Sequence, residues 1–377
     1  MFSFWEHSAF LDRIDVVVLG AGIVGMNAAL SLRERYPDAR VVILERGFLP
    51  TGASTKNAGF ACFGSASELL DNLQTEPLDK VLELVALRYE GLTRLCARTG
   101  EKQIGFIQNG NYELFTHTDM HLFEACAQAL PQLNQYLAPI TKQAQTFEIQ
   151  PEKIQTFGLT GVEQLIWNKS EGELHTGKLI RRLQALCAEQ KIEIWNGVEV
   201  AHIEDTGVGV SLRLNDASKS ELKAQKLLVC TNAFAKQLLP NLDVIPARNQ
   251  VIVTEPIPNF KLQGCFHYDK GYVYFRNIEG RLLIGGARNL DFEAETSWDF
   301  ALTEPIQTRL ETIISTHILA DQPFPKIDYR WAGIMGMGAE KRPIVEKISE
   351  HIAVAVRMSG MGVAIGALVG EMGAKLL

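Results

Sequence analysis

Asp15-Val-Val-Val-Leu-Gly20-Ala-Gly22-Ile-Val-Gly25, with the Ala- and Leu-rich stretch to Arg35 and the run Val41-Val-Ile-Leu-Glu45, decides the fold of this chain. The first apolar run ends in glycines, the middle has helical spacing, Pro37-Asp38 interrupts it, and a second apolar run follows. The segment therefore reads as strand, helix, strand. Both strands are continuous apolar runs, not alternating ones, which predicts a parallel sheet with helices on both faces. G-x-G-x-x-G thus stands between a strand and a helix, the context that gives it meaning. Gly20 allows the tight turn, Gly22 lets a pyrophosphate approach the backbone at the helix N-terminus, and Gly25 lets helix and strand pack closely, with Ala21, Ile23 and Val24 filling the loop. Glu45 ends the second strand, where a carboxylate accepts from the ribose hydroxyls of a non-phosphorylated dinucleotide. The fingerprint alone does not separate FAD from NAD.

Composition agrees with an ordinary soluble globular chain. Of 377 residues, 46% are apolar and 21% charged, which excludes disorder and collagen-like repeats and suggests two domains. Lys and Arg number 37 against 44 Asp and Glu, a net charge of −7, and no basic block offers the footprint of a nucleic-acid binder. A small-molecule partner is expected. Six scattered cysteines without a C-x-x-C pair indicate no metal site, no disulfide framework and no redox pair, but reduced thiols in a cytoplasmic protein. The uncharged stretch Val16 to Leu32 contains Asn27 and three glycines and falls short of a ~20-residue span, so no transmembrane segment is expected.

Farther along, helical spacing from Leu78 to Cys96 and Met120 to Leu137 flanks a turn and strand at 108–115. A helix over Leu179 to Cys187 then leads to strands at Ile192 to Trp195, Val198 to Ile203, Val208 to Leu214 and Lys226 to Val229, where α/β character returns. Residues 248–290 are strand-rich, and Ile352 to Val356 precedes a glycine-rich helix start. A chain that leaves and re-enters one sheet implies interleaved, discontinuous domains.

Arg46-Gly-Phe-Leu-Pro-Thr-Gly52-Ala-Ser-Thr-Lys-Asn-Ala-Gly-Phe60 resembles the segment after the second strand in the superfamily of D-amino-acid oxidase, glycine oxidase and sarcosine oxidase. The likeness continues through Glu171 to Gly177, Gly197 to Ile203, Leu227 to Phe234, Pro246 to Val251, Tyr274-Phe-Arg276, Leu282 to Gly286, Trp331-Ala-Gly333, Arg342-Pro343 and Met358 to Val363. It implies an α/β (α+β overall) fold: a Rossmann-type FAD-binding domain from 1–75, 170–245 and 326–377, interleaved with a substrate domain from 76–169 and 246–325 on a mostly antiparallel sheet. By the same resemblance Arg46, Gly52, Ala53, Ser54, Thr55, Lys56 and Asn57 line the pyrophosphate and flavin, Val200 meets the adenine, and Thr231, Asn232, Gly333, Ser359, Gly360, Met361, Gly362 and Val363 complete the cofactor site. The last helix would turn its partly positive N-terminus to the flavin pyrimidine ring. Gly366 and Gly370 are read as packing glycines.

The reaction implied is hydride transfer from an amine-bearing carbon to flavin N5, giving an imine that water hydrolyses. Two departures stand out. The family's amino-acid oxidases carry, after the W-x-G segment, an Arg that clamps the substrate carboxylate in a two-pronged bond; here Met335 follows Ile334. Arg276 is the expected substitute clamp, with a strand-end salt bridge as its alternative, and Tyr274 is its polar neighbour. Arg248 is expected to be structurally paired, and Met335 and Met337 to line a flexible apolar pocket or fill core. Secondly, the Lys that helps O2 in sarcosine oxidase-like enzymes is absent from Leu282-Leu-Ile284, so Lys56 is the candidate cation, with pairing to an acid as its alternative, and the acceptor is O2 or a quinone or electron-transfer protein. His175 and His267 are expected to be structural. With no cysteine beyond Cys265, FAD should be non-covalent. The leading expectation is an amine or N-substituted amino-acid oxidoreductase; a flavin monooxygenase and a non-catalytic FAD-binding subunit are the alternatives.

Overall fold

The computed structural model describes residues 3–377; residues 1 and 2, which open the first expected segment, lie outside it. A six-stranded sheet runs in the order Ile344–Lys347, Ile352–Val356, Lys226–Val229, Val16–Leu19, Val41–Glu45, Glu193–Asn196. All its neighbours are parallel except the first pair. The register sets Val17 between Leu227 and Val42, and all three side chains are buried, as a sheet covered on both faces requires.

The covering differs from the expectation of helices on both sides. One face packs against the helices Ile23–Arg35, Thr176–Glu189 and Gly362–Ala374. The other is covered through Val200, Ile203, Leu212 and Leu222 of a separate antiparallel sheet, ordered Glu221–Ala224, Val210–Leu214, Val200–Asp205. The strands read at 198–214 thus exist, but as a lid on the parallel sheet: alternation such as Val210, Leu212 buried and Arg213 exposed suits a sheet with one wet face.

A second sheet has eight strands: Ile327–Met337, Ile245–Pro256, Arg281–Gly286, Val273–Ile278, Cys265–Tyr268, Asn111–Thr116, Val162–Asn168, Phe147–Ile149. It is mixed but mostly antiparallel, with only Cys265–Tyr268 and Asn111–Thr116 parallel to each other. Phe266 and Phe275, 0% exposed, stack at 4.9 Å and root it in a core shared with the helix Glu304–Ile313, which the sequence reading passed over.

The chain leaves the parallel sheet after Glu45 and returns at Glu193, leaves after Asn196 for the covering sheet and returns at Lys226, then leaves after Val229 and returns at Ile344. The last helix comes back onto Ile23–Arg35 because Gly370 leaves room for it. A Cβ there would lie 2.5 Å from the Val24 carbonyl oxygen.

Candidate active site

A cavity of about 520 Å³ opens where the parallel strands end and the eight-stranded sheet begins. The expected residues Gly20, Gly22, Ile23, Val24, Glu45, Arg46, Gly52, Ala53, Ser54, Lys56, Asn57, Val200, Thr231, Asn232, Gly333, Ser359, Gly360, Met361, Gly362 and Val363 line it, together with Tyr274 and Met335. Ala21, Gly25, Thr55 and Arg276 stand outside the lining.

Each of the four has a physical reason. The Ala21 amide turns inward and donates to Glu45 Oε2 at 3.1 Å, while Glu45 Oε1 accepts from the Gly47 amide at 3.0 Å. Glu45 thereby ties the glycine loop to the strand end, with lone pairs to spare for the cavity. Gly25 is where helix meets strand: a Cβ would fall 1.9 Å from the Gly20 carbonyl oxygen. The Thr55 hydroxyl donates to the carbonyls of Pro50 and Gly52 at 2.7 and 3.2 Å, locking its own turn.

Arg276 corrects the clamp expectation. It shares a sheet face with Tyr274, but its guanidinium is 3% exposed, donates from Nη2 to the Leu174 carbonyl at 2.9 Å and lies 3.4 Å from the Glu173 carboxylate. The alternative, a salt bridge, is what the structure contains. Arg276→Leu would strip Glu173 and the Leu174 carbonyl of their partner, and we expect a stability loss of about 3–5 kcal/mol, measurable by urea unfolding. An unchanged midpoint would contradict the placement. Arg248 is likewise committed, to both oxygens of Glu295 at 2.9 Å.

The loops around the cavity are held by side-chain amides. Asn232, in the left-handed region at φ 50°, accepts at Oδ1 from the Arg357 and Met358 amides at 3.1 and 3.2 Å, so it fixes the loop that delivers Ser359 to Gly362. Asn57 Oδ1 accepts from the Gly59 amide and the Thr176 hydroxyl at 2.9 and 2.8 Å. Three lining residues carry buried polar atoms without a protein partner: Thr231 Oγ1, Ser359 Oγ and Asn249 Oδ1. Each such atom costs about 1–3 kcal/mol, which a polar ligand in the cavity relieves. The helices Ile23–Arg35 and Gly362–Ala374 both begin at the cavity and favour negative charge there. Orphaned polar atoms and helix N-termini fit a pyrophosphate-bearing dinucleotide.

Beyond that end, Phe60, His267 and Tyr274 form an aromatic wall, with Phe60 ring centroids 5.3 Å from His267 and 5.5 Å from Tyr274. Burial pushes the Tyr274 hydroxyl well above the usual phenol range, so it remains a donor. Burial pulls His267 down to about 4 against the opposing charge of Glu68, so the imidazole is neutral at pH 7. Burial also opposes ionisation of Glu68, yet the Arg88 and Lys341 charges outweigh it and hold that carboxyl below its ordinary value.

Arg288 went unnoticed in the sequence. It lines the cavity and sits over the rings of Tyr272 at 5.6 Å and Phe292 at 4.9 Å. Burial lowers its pKa, with Tyr272 opposing, and a guanidinium still keeps its charge. Among the described residues no carboxylate pairs with it, in contrast to Arg248 and Arg276. Ala287, at φ 61° and 2% exposed, adopts a conformation that a residue with a Cβ rarely takes; its amide donates to the Tyr272 carbonyl at 2.7 Å and turns Arg288 off the strand. The available signal was a cation right after the Gly285-Gly286 strand end.

The model of a family described as FAD dependent oxidoreductase, DAO, matches residues 15–376. A curated relative, a probable oxidoreductase OrdL of Haemophilus influenzae, is 23% identical over 403 residues, covering 97% of this chain and 83% of that protein. Glycine oxidase from Geobacillus kaustophilus superposes with a TM-score of 0.77 at 20% identity, covering 97% of this chain and 94% of the other. L-proline dehydrogenase from P. horikoshii gives 0.75 at 18%, covering 97% and 93%.

Proposed function

The chain belongs to the FAD dependent oxidoreductase (DAO) family, and from that premise we propose that it oxidises a C–N bond in an amine or N-substituted amino acid whose acidic group is held by Arg288. The observation that carries this reading is a charged guanidinium facing the cavity without an acidic partner. Desolvating an unpaired guanidinium is costly, and a substrate carboxylate offsets that cost with a charge-assisted, two-pronged bond. The neighbours supply context: glycine and proline, named for two of them, both carry an amine next to a carboxylate.

FAD, when bound, supplies the acceptor at its N5 for a hydride from the amine-bearing carbon. The residues proposed to hold it are those of the glycine loop, Glu45, Ser54, Asn57, Thr231, Asn232 and the 359–363 turn, without a covalent bond. Acid precipitation is expected to leave all flavin in the supernatant, and flavin retained in the pellet would contradict this. The protein's own contribution is placement. Arg288 anchors the substrate at one end, and the wall of Phe60, His267 and Tyr274 confines it from water. The amine reacts in its neutral form, so no protein base is required; loss of hydride leaves an iminium, which water hydrolyses to a carbonyl compound and the shortened amine.

The division of labour proposed is an FAD module from 1–75, 170–245 and 326–377 and a substrate module from 76–169 and 246–325. The six-stranded sheet falls wholly in the former. The strand Ile327–Met337 pairs along Ile245–Pro256, which argues for moving the last boundary past Met337. Lys56, a lining cation, is the group proposed to favour electron transfer to O2; peroxide formation in air would separate that acceptor from a quinone or electron-transfer protein. Among the described residues no helix is long and apolar enough to cross a membrane.

Anaerobic addition of the correct amine to the purified protein tests the reading, since it must bleach the flavin absorbance without any other reductant.

A further inference from the structure

Behind the aromatic wall lies a buried polar chain that binding of FAD and substrate does not explain. Glu171 is 0% and Asn111 2% exposed. Glu171 Oε1 accepts from the amides of Phe63 and Gly64 at 2.6 and 2.8 Å, and its Oε2 accepts from Asn111 Nδ2 at 2.7 Å. The same Asn111 nitrogen stands 2.7 Å from His267 Nδ1. We propose that Glu171 acts through Asn111 as a positioning residue, fixing the proton of His267 on Nε2 so that the imidazole meets the cavity as a hydrogen-bond donor and not as a base.

The reasoning is one of obligate roles. Above the pH at which Glu171 ionises its carboxylate only accepts, so the Asn111 amide must turn its NH2 edge to Glu171. That nitrogen then has its second hydrogen for His267 Nδ1, which must be the bare nitrogen of a neutral ring. Nε2 has no protein partner among the described residues, and His267 lines the cavity, so Nε2–H is what the site receives. Both partners of the Asn111 side chain lie at its NH2 edge, while Oδ1 is buried without any partner, so the orientation is set by what Glu171 and His267 require. The groups facing this chain are compatible with the assignment. The Glu68 charge favours protonation of His267 but burial prevails, and burial pushes the Cys62 thiol beside Glu171 up, so it remains protonated.

Glu171→Gln reverses the logic with almost no change in shape. Its Oε1 still serves the Phe63 and Gly64 amides, but its NH2 now donates toward Asn111, whose amide must turn. Oδ1 then faces His267 and demands a proton on Nδ1. The inference rests on the functional reading only in taking the cavity for the substrate site, and the tautomer is readable whatever the substrate proves to be.

The test is ring-15N histidine NMR of the flavin-loaded protein, with His267→Asn identifying the signals. Burial raises Glu171 to about 7, so the spectra are taken about two pH units above that value. The wild type is expected to show protonated Nε2 and bare Nδ1. Glu171→Gln is expected to shift the ratio of the two tautomers at least about tenfold toward Nδ1–H. A wild-type proton on Nδ1 overturns the proposal, whether or not the variant folds. So does a folded Glu171→Gln protein that keeps Nε2 protonated.

Discussion

Gly25→Ala is expected to give a protein that retains almost no flavin. The added methyl would lie 1.9 Å from the Gly20 carbonyl oxygen and 3.1 Å from its carbon, and both are backbone atoms of the turn that starts the cofactor loop. Relief requires the helix Ile23–Arg35 to move away from Val16–Leu19, at about 1–3 kcal/mol for the overpacking alone. The same shift pulls the Ala21 amide off Glu45 and the Ile23 amide off Ser54, now 3.1 and 2.9 Å apart. Gly22→Ala is the instructive comparison, because its Cβ would meet only the Ser54 side chain, too closely at the hydroxyl alone, 2.7 Å away, and a hydroxyl can rotate away. The flavin-to-protein ratio after purification should be near zero for Gly25→Ala and intermediate for Gly22→Ala. Full occupancy in Gly25→Ala would remove the steric account of the fingerprint.

Arg288→Leu is expected to raise KM for carboxylate-bearing amines about 10- to 100-fold, the worth of a hydrogen bond to a charged group, with flavin content unchanged. Uncharged amines should be affected little. Arg288→Lys should recover only part of the loss, since an ammonium keeps the charge but not the planar fork. The contrast with Arg276 is the decisive point. Both are arginines of the same sheet region, yet Arg276 is paired with Glu173 and donates to the Leu174 carbonyl, so its loss should cost stability instead of selectivity. Equal KM changes for charged and uncharged amines would exclude Arg288 from the substrate site.

The cofactor half of the molecule was legible in the sequence because its signals are local. Gly20, Gly22, Gly25 and Glu45 state their roles within one strand-helix-strand unit, and steric demands on glycine leave few other readings. The return of the chain to the parallel sheet was legible too, from the apolar strand runs after residue 192. What covers the second face of the parallel sheet was not, since 200–224 pairs with itself and only tertiary packing tells a lid from a further strand of that sheet.

The proposed substrate end is built from contacts distant in sequence. Arg276 and Arg288 look equally eligible as residues; only the position of Glu173, more than a hundred residues upstream, shows which one is spoken for. His267 gave no sign of its connection to Asn111 and Glu171, because that chain joins two strands and a loop through |i−j| of 156 and 60. Local chemistry thus marks a dinucleotide site, which the family resemblance narrows to FAD, and long-range pairing separates Arg288 from Arg276.

The most direct measurement is anaerobic reduction of the flavin in the wild-type protein by matched amines, identical except for the presence of a carboxylate. Bleaching by the carboxylate-bearing amines, with half-saturation at about 10- to 100-fold lower concentration than for their uncharged counterparts, is the predicted result. Failure of every amine to bleach the flavin, or indifference to the carboxylate, would contradict the account.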